Sequence, residues 1–119
     1  MNKILIIEDN ELNMKLFFDI LQYQNYDTDK AYDGIEAYEK LKSNAYDLII
    51  LDIQLPKLDG FSLLEKLKEE GIEIPTVIIV SACAMDSDKN KAKSYGIDSY
   101  ITKPIDIKQF VEVVAKELK

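Results

Sequence analysis

Three short apolar runs constrain this chain more than any other feature: ILII at 4–7, LIIL within DLIILDI at 47–53, and VIIV within IPTVIIVSA at 74–82. A strand with one wet face alternates apolar and polar residues, because successive side chains point to opposite sides of the sheet. Unbroken branched residues fit strands covered on both faces instead. Around these runs, apolar residues recur at helical spacing. Leu12, Leu16, Phe17, Ile20 and Leu21 form one predicted stripe, Ile35, Tyr38 and Leu41 a second, and Phe61, Leu64 and Leu67 a third. Asp33 with Glu36, and Asp106 with Gln109, have capping-box spacing, and Asp59 is placed to cap the third helix. NYDTDKAY at 25–32 has the polar alternation of an edge strand. Residues 87–95 make a very polar helix with a thin stripe of Ala92 and Tyr95, SYIT at 99–102 a short strand, and residues 107–118 a final amphipathic helix.

Strand then helix, five times over, predicts an α/β fold: a five-stranded parallel sheet with helices on both faces. With the weak second strand on an edge, the order is 2-1-3-4-5, a flavodoxin-like arrangement. At 119 residues the chain reads as one domain, 1–119, with no linker, repeat or output domain. No apolar run approaches the roughly 20 residues that span a bilayer, and no signal peptide is visible. The lone Cys83 cannot form an internal disulfide, which fits a cytoplasmic location. A net charge of −7 disfavours nucleic acid and anionic membrane as partners and favours cations. The absence of His removes His-based catalysis and most zinc sites.

In such a sheet the binding crevice lies beyond the carboxyl ends of the strands, where the winding reverses between strands 1 and 3. Strand 1 delivers Glu8 and Asp9 there, strand 3 Asp52, strand 4 Ser81, and strand 5 Lys103 followed by Pro104. Adjacent carboxylates repel unless something positive sits between them, so these acids read as grouped for a cation. Taken singly, each residue has a plainer reading. Glu8, Asp9 and Lys103 suit solvated loops, Ser81 a turn, Tyr100 core packing, and Cys83 a small buried hydrophobe. Their convergence on one crevice favours the functional reading.

The inventory sets the chemistry. Hard oxygen ligands without His favour Mg²⁺, which needs only one or two protein carboxylates. Asp52, kept ionised, is a nucleophile for phosphorus. Lys103 can neutralise phosphoryl oxygens and the Ser81 hydroxyl can donate to one. No GxxxxGK[ST] loop is present, so a nucleotide is a poor candidate donor.

IIEDN, DLIILDIQLPKLDG, VSACAM and DSYITKP, in that order along the whole chain, resemble the signature stretches of the bacterial response-regulator receiver family. EDNELNMKLF, DIQLP and the A-x-A-M after strand 4 are nearest in wording to single-domain members that control cell division; receivers of hybrid histidine kinases share much of it. The resemblance implies a phosphorylation-dependent switch in a two-component system or phosphorelay, catalysing only its own phosphorylation and dephosphorylation. Asp52 is then the phosphoacceptor. Mg²⁺ is held by Asp9, Asp52 and the backbone carbonyl of Gln54, with Glu8 acting through water. Ser81 and Lys103 match the phosphate-sensing hydroxyl and lysine, Tyr100 the aromatic switch, and the Lys103–Pro104 bond is expected to be cis. The implied partners are a sensor histidine kinase or histidine phosphotransfer protein, and a downstream protein docked on the face of helix 4, strand 5 and helix 5. Gln54 and Cys83, two residues beyond Asp52 and Ser81, stand where the approach of water to the phosphoryl group is influenced.

Two other readings use the same sheet. A Toprim-like metal-dependent phosphotransferase or nuclease wants an Asp-x-Asp pair, whereas Asp52 is followed by Ile53 and Gln54. A flavin-binding protein wants a Ser/Thr/Gly-rich loop after strand 1, where this chain has two acids.

Overall fold

A computed structural model describes residues 2–82, 85–97 and 99–118. The expectation for Cys83 lies outside the described residues. Five strands, β1 (Lys3–Ile7), β2 (Asp27–Ala31), β3 (Leu48–Leu51), β4 (Thr76–Ser81) and β5 (Ser99–Thr102), form one parallel sheet in the order β2-β1-β3-β4-β5. The helices are α1 (Glu11–Tyr23), α2 (Gly34–Ser43), α3 (Gly60–Glu69), α4 (Asp86–Ser94) and α5 (Ile107–Glu117).

The apolar runs are continuous because each strand feeds two cores. Leu5, Ile7, Ile49, Leu51, Val77 and Ile79 point to the side covered by α2, α3 and α4. Their sequence neighbours Ile4, Ile6, Leu48, Ile50, Ile78 and Val80 point to the side covered by α1 and α5, where the rings of Phe17 and Phe110 stack with centroids 5.3 Å apart. The period of two places alternate residues in opposite cores. β2 pairs only with β1, and its exposed Asp27 marks it as the edge.

The α1 stripe is a correction. Leu12 is 80% exposed and Leu16 37%, while Met14, Phe17 and Leu21 are buried. At 100° per residue the predicted stripe wraps about half the helix, and the sheet takes the half that includes Met14. Ile35 is likewise exposed, its place in the α2 core filled by Ala37 beside Tyr38 and Leu41.

The caps set the loops that carry the site. Asp33 Oδ1 accepts from the Glu36 N–H at 2.7 Å, but Glu36 Oε1 reaches back to the Tyr32 N–H rather than to that of Asp33. Asp59 and Asp106 accept from the backbone N–H groups of Ser62 and Gln109, each at 3.0 Å. Asn10 caps α1 through the Asn13 N–H at 2.9 Å. The loop after β3 lies directly on the start of α2: a Cβ built on Gly34 would stand 1.8 Å from the Leu58 carbonyl oxygen. That close approach requires glycine, and it holds the segment running from Asp52 to α3 against the rest of the fold.

Candidate functional site

The strand ladders place the site. The Glu8 N–H donates to the Ala31 carbonyl at 3.0 Å and the Asp52 N–H to the Ile7 carbonyl at 3.0 Å. Each strand therefore continues one residue past its last paired position, which brings the carboxylates of Glu8 and Asp52 side by side at the top of β1 and β3. Oxygens of Glu8, Asp9 and Asp52 lie within 4.8 Å of one another. Glu8 and Asp52 are buried, whereas Asp9 faces solvent at the mouth.

Lys103 crosses from the far side of the sheet. Its backbone N–H donates to the Ser81 carbonyl at 2.8 Å, and the Lys103–Pro104 peptide is cis, as the resemblance implies. Its Nζ lies 2.6 Å from Glu8 Oε1 and 2.9 Å from Asp52 Oδ2. The second oxygen of each acid is held by backbone: Glu8 Oε2 accepts from the Asn10 N–H at 3.1 Å, and Asp52 Oδ1 from the Gln54 N–H at 2.9 Å. Burial pushes the Glu8 carboxyl above its ordinary range, although the hydrogen bonds from Lys103 and Asn10 pull against it. For Lys103, burial pulls down, but the hydrogen bonds to Glu8 and Asp52 outweigh it and carry the ammonium above its usual value. The lysine is thus charged at neutral pH, and it supplies the positive group that two adjacent buried acids need.

Ser81 is fully buried at the end of β4, in register with Thr102. Tyr100 is half-buried against the core below α4, with Lys89 Nζ 5.7 Å from its ring centroid. A cavity of about 80 Å³ beside it is lined by Lys89, Ala92, Lys93, Ile97 and Tyr100. The structure therefore brings Glu8, Asp9, Asp52 and Lys103 together and sets Ser81 and Tyr100 on the neighbouring strands. The direct Glu8–Lys103 pair leaves one trace in the sequence, opposite charge at two strand ends 95 residues apart.

The set is oxygen-only: three carboxylates of which one faces solvent. That suits a hard divalent cation such as Mg²⁺. A family model described as the response regulator receiver domain matches residues 4–115. The chain belongs to that family. This receiver is 41% identical over 117 residues to the polar-differentiation response regulator DivK of Brucella ovis, an alignment covering 97% of the receiver and 94% of the relative. It is also similar to a solved two-component response regulator from Clostridium difficile, with a TM-score of 0.91, 30% identity, and coverage of 99% of the receiver and 96% of that chain. A third likeness is to the receiver domain of a sensor histidine kinase from Pseudomonas aeruginosa, whose active-site cleft coordinates a magnesium ion. There the TM-score is 0.86 and the identity 26%, over 98% of the receiver and 97% of that chain.

Membership sets aside the Toprim-like and flavin-binding readings and points to histidine kinases as partners. Among the described residues no helix is long and apolar enough to cross a membrane.

Proposed function

We propose that this receiver takes a phosphoryl group from a phosphohistidine onto Asp52 and passes the signal on through protein contact. The observation that carries the reading is the convergence of Glu8, Asp9, Asp52 and Lys103 Nζ on one point at the switch of the sheet. Asp52 attacks phosphorus, the bond from phosphorus to the donor nitrogen breaks, and an acyl phosphate forms on the side chain. Asp9, Asp52 and the Gln54 carbonyl would hold Mg²⁺, with Glu8 acting through water. The bound ion would supply charge stabilisation to the phosphoryl oxygens. Lys103 is already positioned beside Asp52 to neutralise the added charge. Glu8, gripping the same ammonium from behind, orients it. The aspartyl phosphate chemistry is the chain's own; the histidine belongs to the kinase or phosphotransfer protein.

Output rests on Ser81 and Tyr100. A phosphoryl oxygen offers the Ser81 hydroxyl a new acceptor, and a shift of Ser81 makes room for the Tyr100 ring to turn inward. That turn alters the face of α4, β5 and α5, on which a downstream protein docks. The 119 residues act as one receiver domain with no separate output unit among them, in the cytoplasm. By likeness to the DivK relatives, the pathway served is cell-division or cell-cycle control.

Asp9→Ala tests the metal assignment. Removing the one solvent-facing acid of the cluster is expected to weaken Mg²⁺ binding by about 10-fold or more, since even the loss of a group that only orients a metal ligand costs about that much. It should also slow phosphorylation by acetyl phosphate. Calorimetric titration with MgCl₂ reads the affinity, and a value equal to wild type removes Asp9 from the ligand set.

A further inference from the structure

α4 is weakly built. Its mean character is polar, Ala92 is its one buried residue among those described, and its N-cap Met85 makes no side-chain capping bond. Contacts from α3 add to the turn bonds that close its far end, where the N–H groups of Tyr95 and Ile97 each donate to the Ala92 carbonyl at 3.0 Å. Tyr95, the C-cap of α4, donates its hydroxyl to Glu65 Oε2 on α3 at 2.7 Å. The Tyr95 ring stacks on Phe61 with centroids 6.5 Å apart and planes 18° from parallel. Lys91 Nζ sits 4.9 Å from the Phe61 ring and Lys68 Nζ 5.9 Å from the Tyr95 ring, so two ammonium groups flank the stacked pair.

Phe61 is the second residue of α3, and the Gly60 N–H before it donates to the Ile53 carbonyl at 3.1 Å. The start of α3 is therefore tied to the residue that follows Asp52. A continuous chain of contacts runs from Asp52 through Ile53, Gly60 and Phe61 to Tyr95. This route runs through α3 rather than through Ser81 on β4, and Tyr95 and Tyr100 pack against the same core.

We propose that Tyr95 and Glu65 clamp α4 onto α3 in the unphosphorylated protein, and that this clamp must open for α4 to reposition. The inference rests on the proposal that the α4 face carries the output. Tyr95 is here a positioning residue: it touches neither phosphoryl group nor metal, and it acts by raising the population of the resting state. Its hydrogen bond to the Glu65 carboxylate, with partial burial, pushes the Tyr95 hydroxyl up to about 12, so the donor keeps its proton throughout the neutral range. A ligand that favours the activated state has to work against whatever holds the resting one.

Tyr95→Phe keeps the ring on Phe61 and removes only the hydroxyl. In that variant, without metal or phosphate, amide hydrogen exchange across residues 87–94 is expected to speed up by about 5- to 10-fold, the scale of one ordinary net hydrogen bond, since this pair is exposed. Exchange in β1 and β3 should be unchanged. Beryllofluoride with Mg²⁺ should bind the same variant several-fold more tightly than wild type, because less of the resting state remains to be overcome. Glu65→Gln retains an acceptor oxygen and should restore most of the protection that Glu65→Ala loses. Unchanged exchange in α4, or an acceleration spread evenly over the whole chain, overturns the clamp. So does a beryllofluoride affinity that stays equal or falls. A wild-type protein that binds no beryllofluoride would overturn the phosphoacceptor reading instead, while the exchange comparison still decides the clamp.

Discussion

Asp52→Asn is expected to gain no phosphoryl group from acetyl phosphate and Mg²⁺, where wild type gains one per chain. The amide keeps the volume of the carboxylate and loses its nucleophilic oxygen pair. The fold should survive. Asn Oδ1 can still accept the Gln54 N–H, and Lys103 keeps its 2.6 Å partner Glu8, so no buried charge is orphaned. Intact-mass spectrometry reads the phosphoryl gain, and urea unfolding should place the variant within about 1–2 kcal/mol of wild type. Stoichiometric acid-labile phosphate on this variant contradicts the assignment.

Gly34→Ala is expected to be the most damaging single methyl in the molecule. By helix propensity alone, alanine would stabilise α2 by at most about 1 kcal/mol, the helix-interior value, because Gly34 is the first residue of the helix. The added Cβ would, however, stand 1.8 Å from the Leu58 carbonyl oxygen, 2.6 Å from the Leu58 Cβ and 2.7 Å from the Leu58 carbonyl carbon. Two of those three atoms are backbone, so no rotamer change relieves the overlap. Either the 53–59 loop or α2 must shift, at a cost of about 3 kcal/mol, the upper range for overpacking. The clash outweighs the propensity, and the sign is destabilising. Because the same loop carries Gln54 and leads into α3, phosphorylation should slow as well. Urea unfolding decides the matter; a variant as stable as wild type would show that the loop yields freely.

The fold was legible because its strands announce themselves. Four-residue apolar runs such as Leu48–Leu51, too short for helices and bounded by polar residues, suit strands buried on both faces, and the polar strand at Asp27–Ala31 suits an edge. The helices were less legible. Leu12 and Leu16 are as apolar as Phe17 and Leu21, and only the position of the sheet decides which half of α1 is dry. The convergence at the site followed from strand order alone, since Glu8, Asp9, Asp52, Ser81 and Lys103 all stand just past apolar runs. Pairing within it did not follow. That Lys103 binds Glu8 and Asp52 together, or that Tyr95 reaches Glu65 thirty residues away, depends on side-chain reach across packed elements, which no local spacing encodes.

The most direct measurement locates the phosphoryl group by chemistry rather than by mutation. Wild-type protein is incubated with Mg²⁺ and acetyl phosphate, then reduced with borohydride, which converts an acyl phosphate to the corresponding alcohol. Peptide mass spectrometry should find the aspartate at position 52 converted to homoserine, in a yield that disappears when Mg²⁺ is chelated. Conversion at Asp9 or another acid, or a phosphorylated protein with position 52 unchanged, would contradict the phosphoacceptor assignment and the switch built on it.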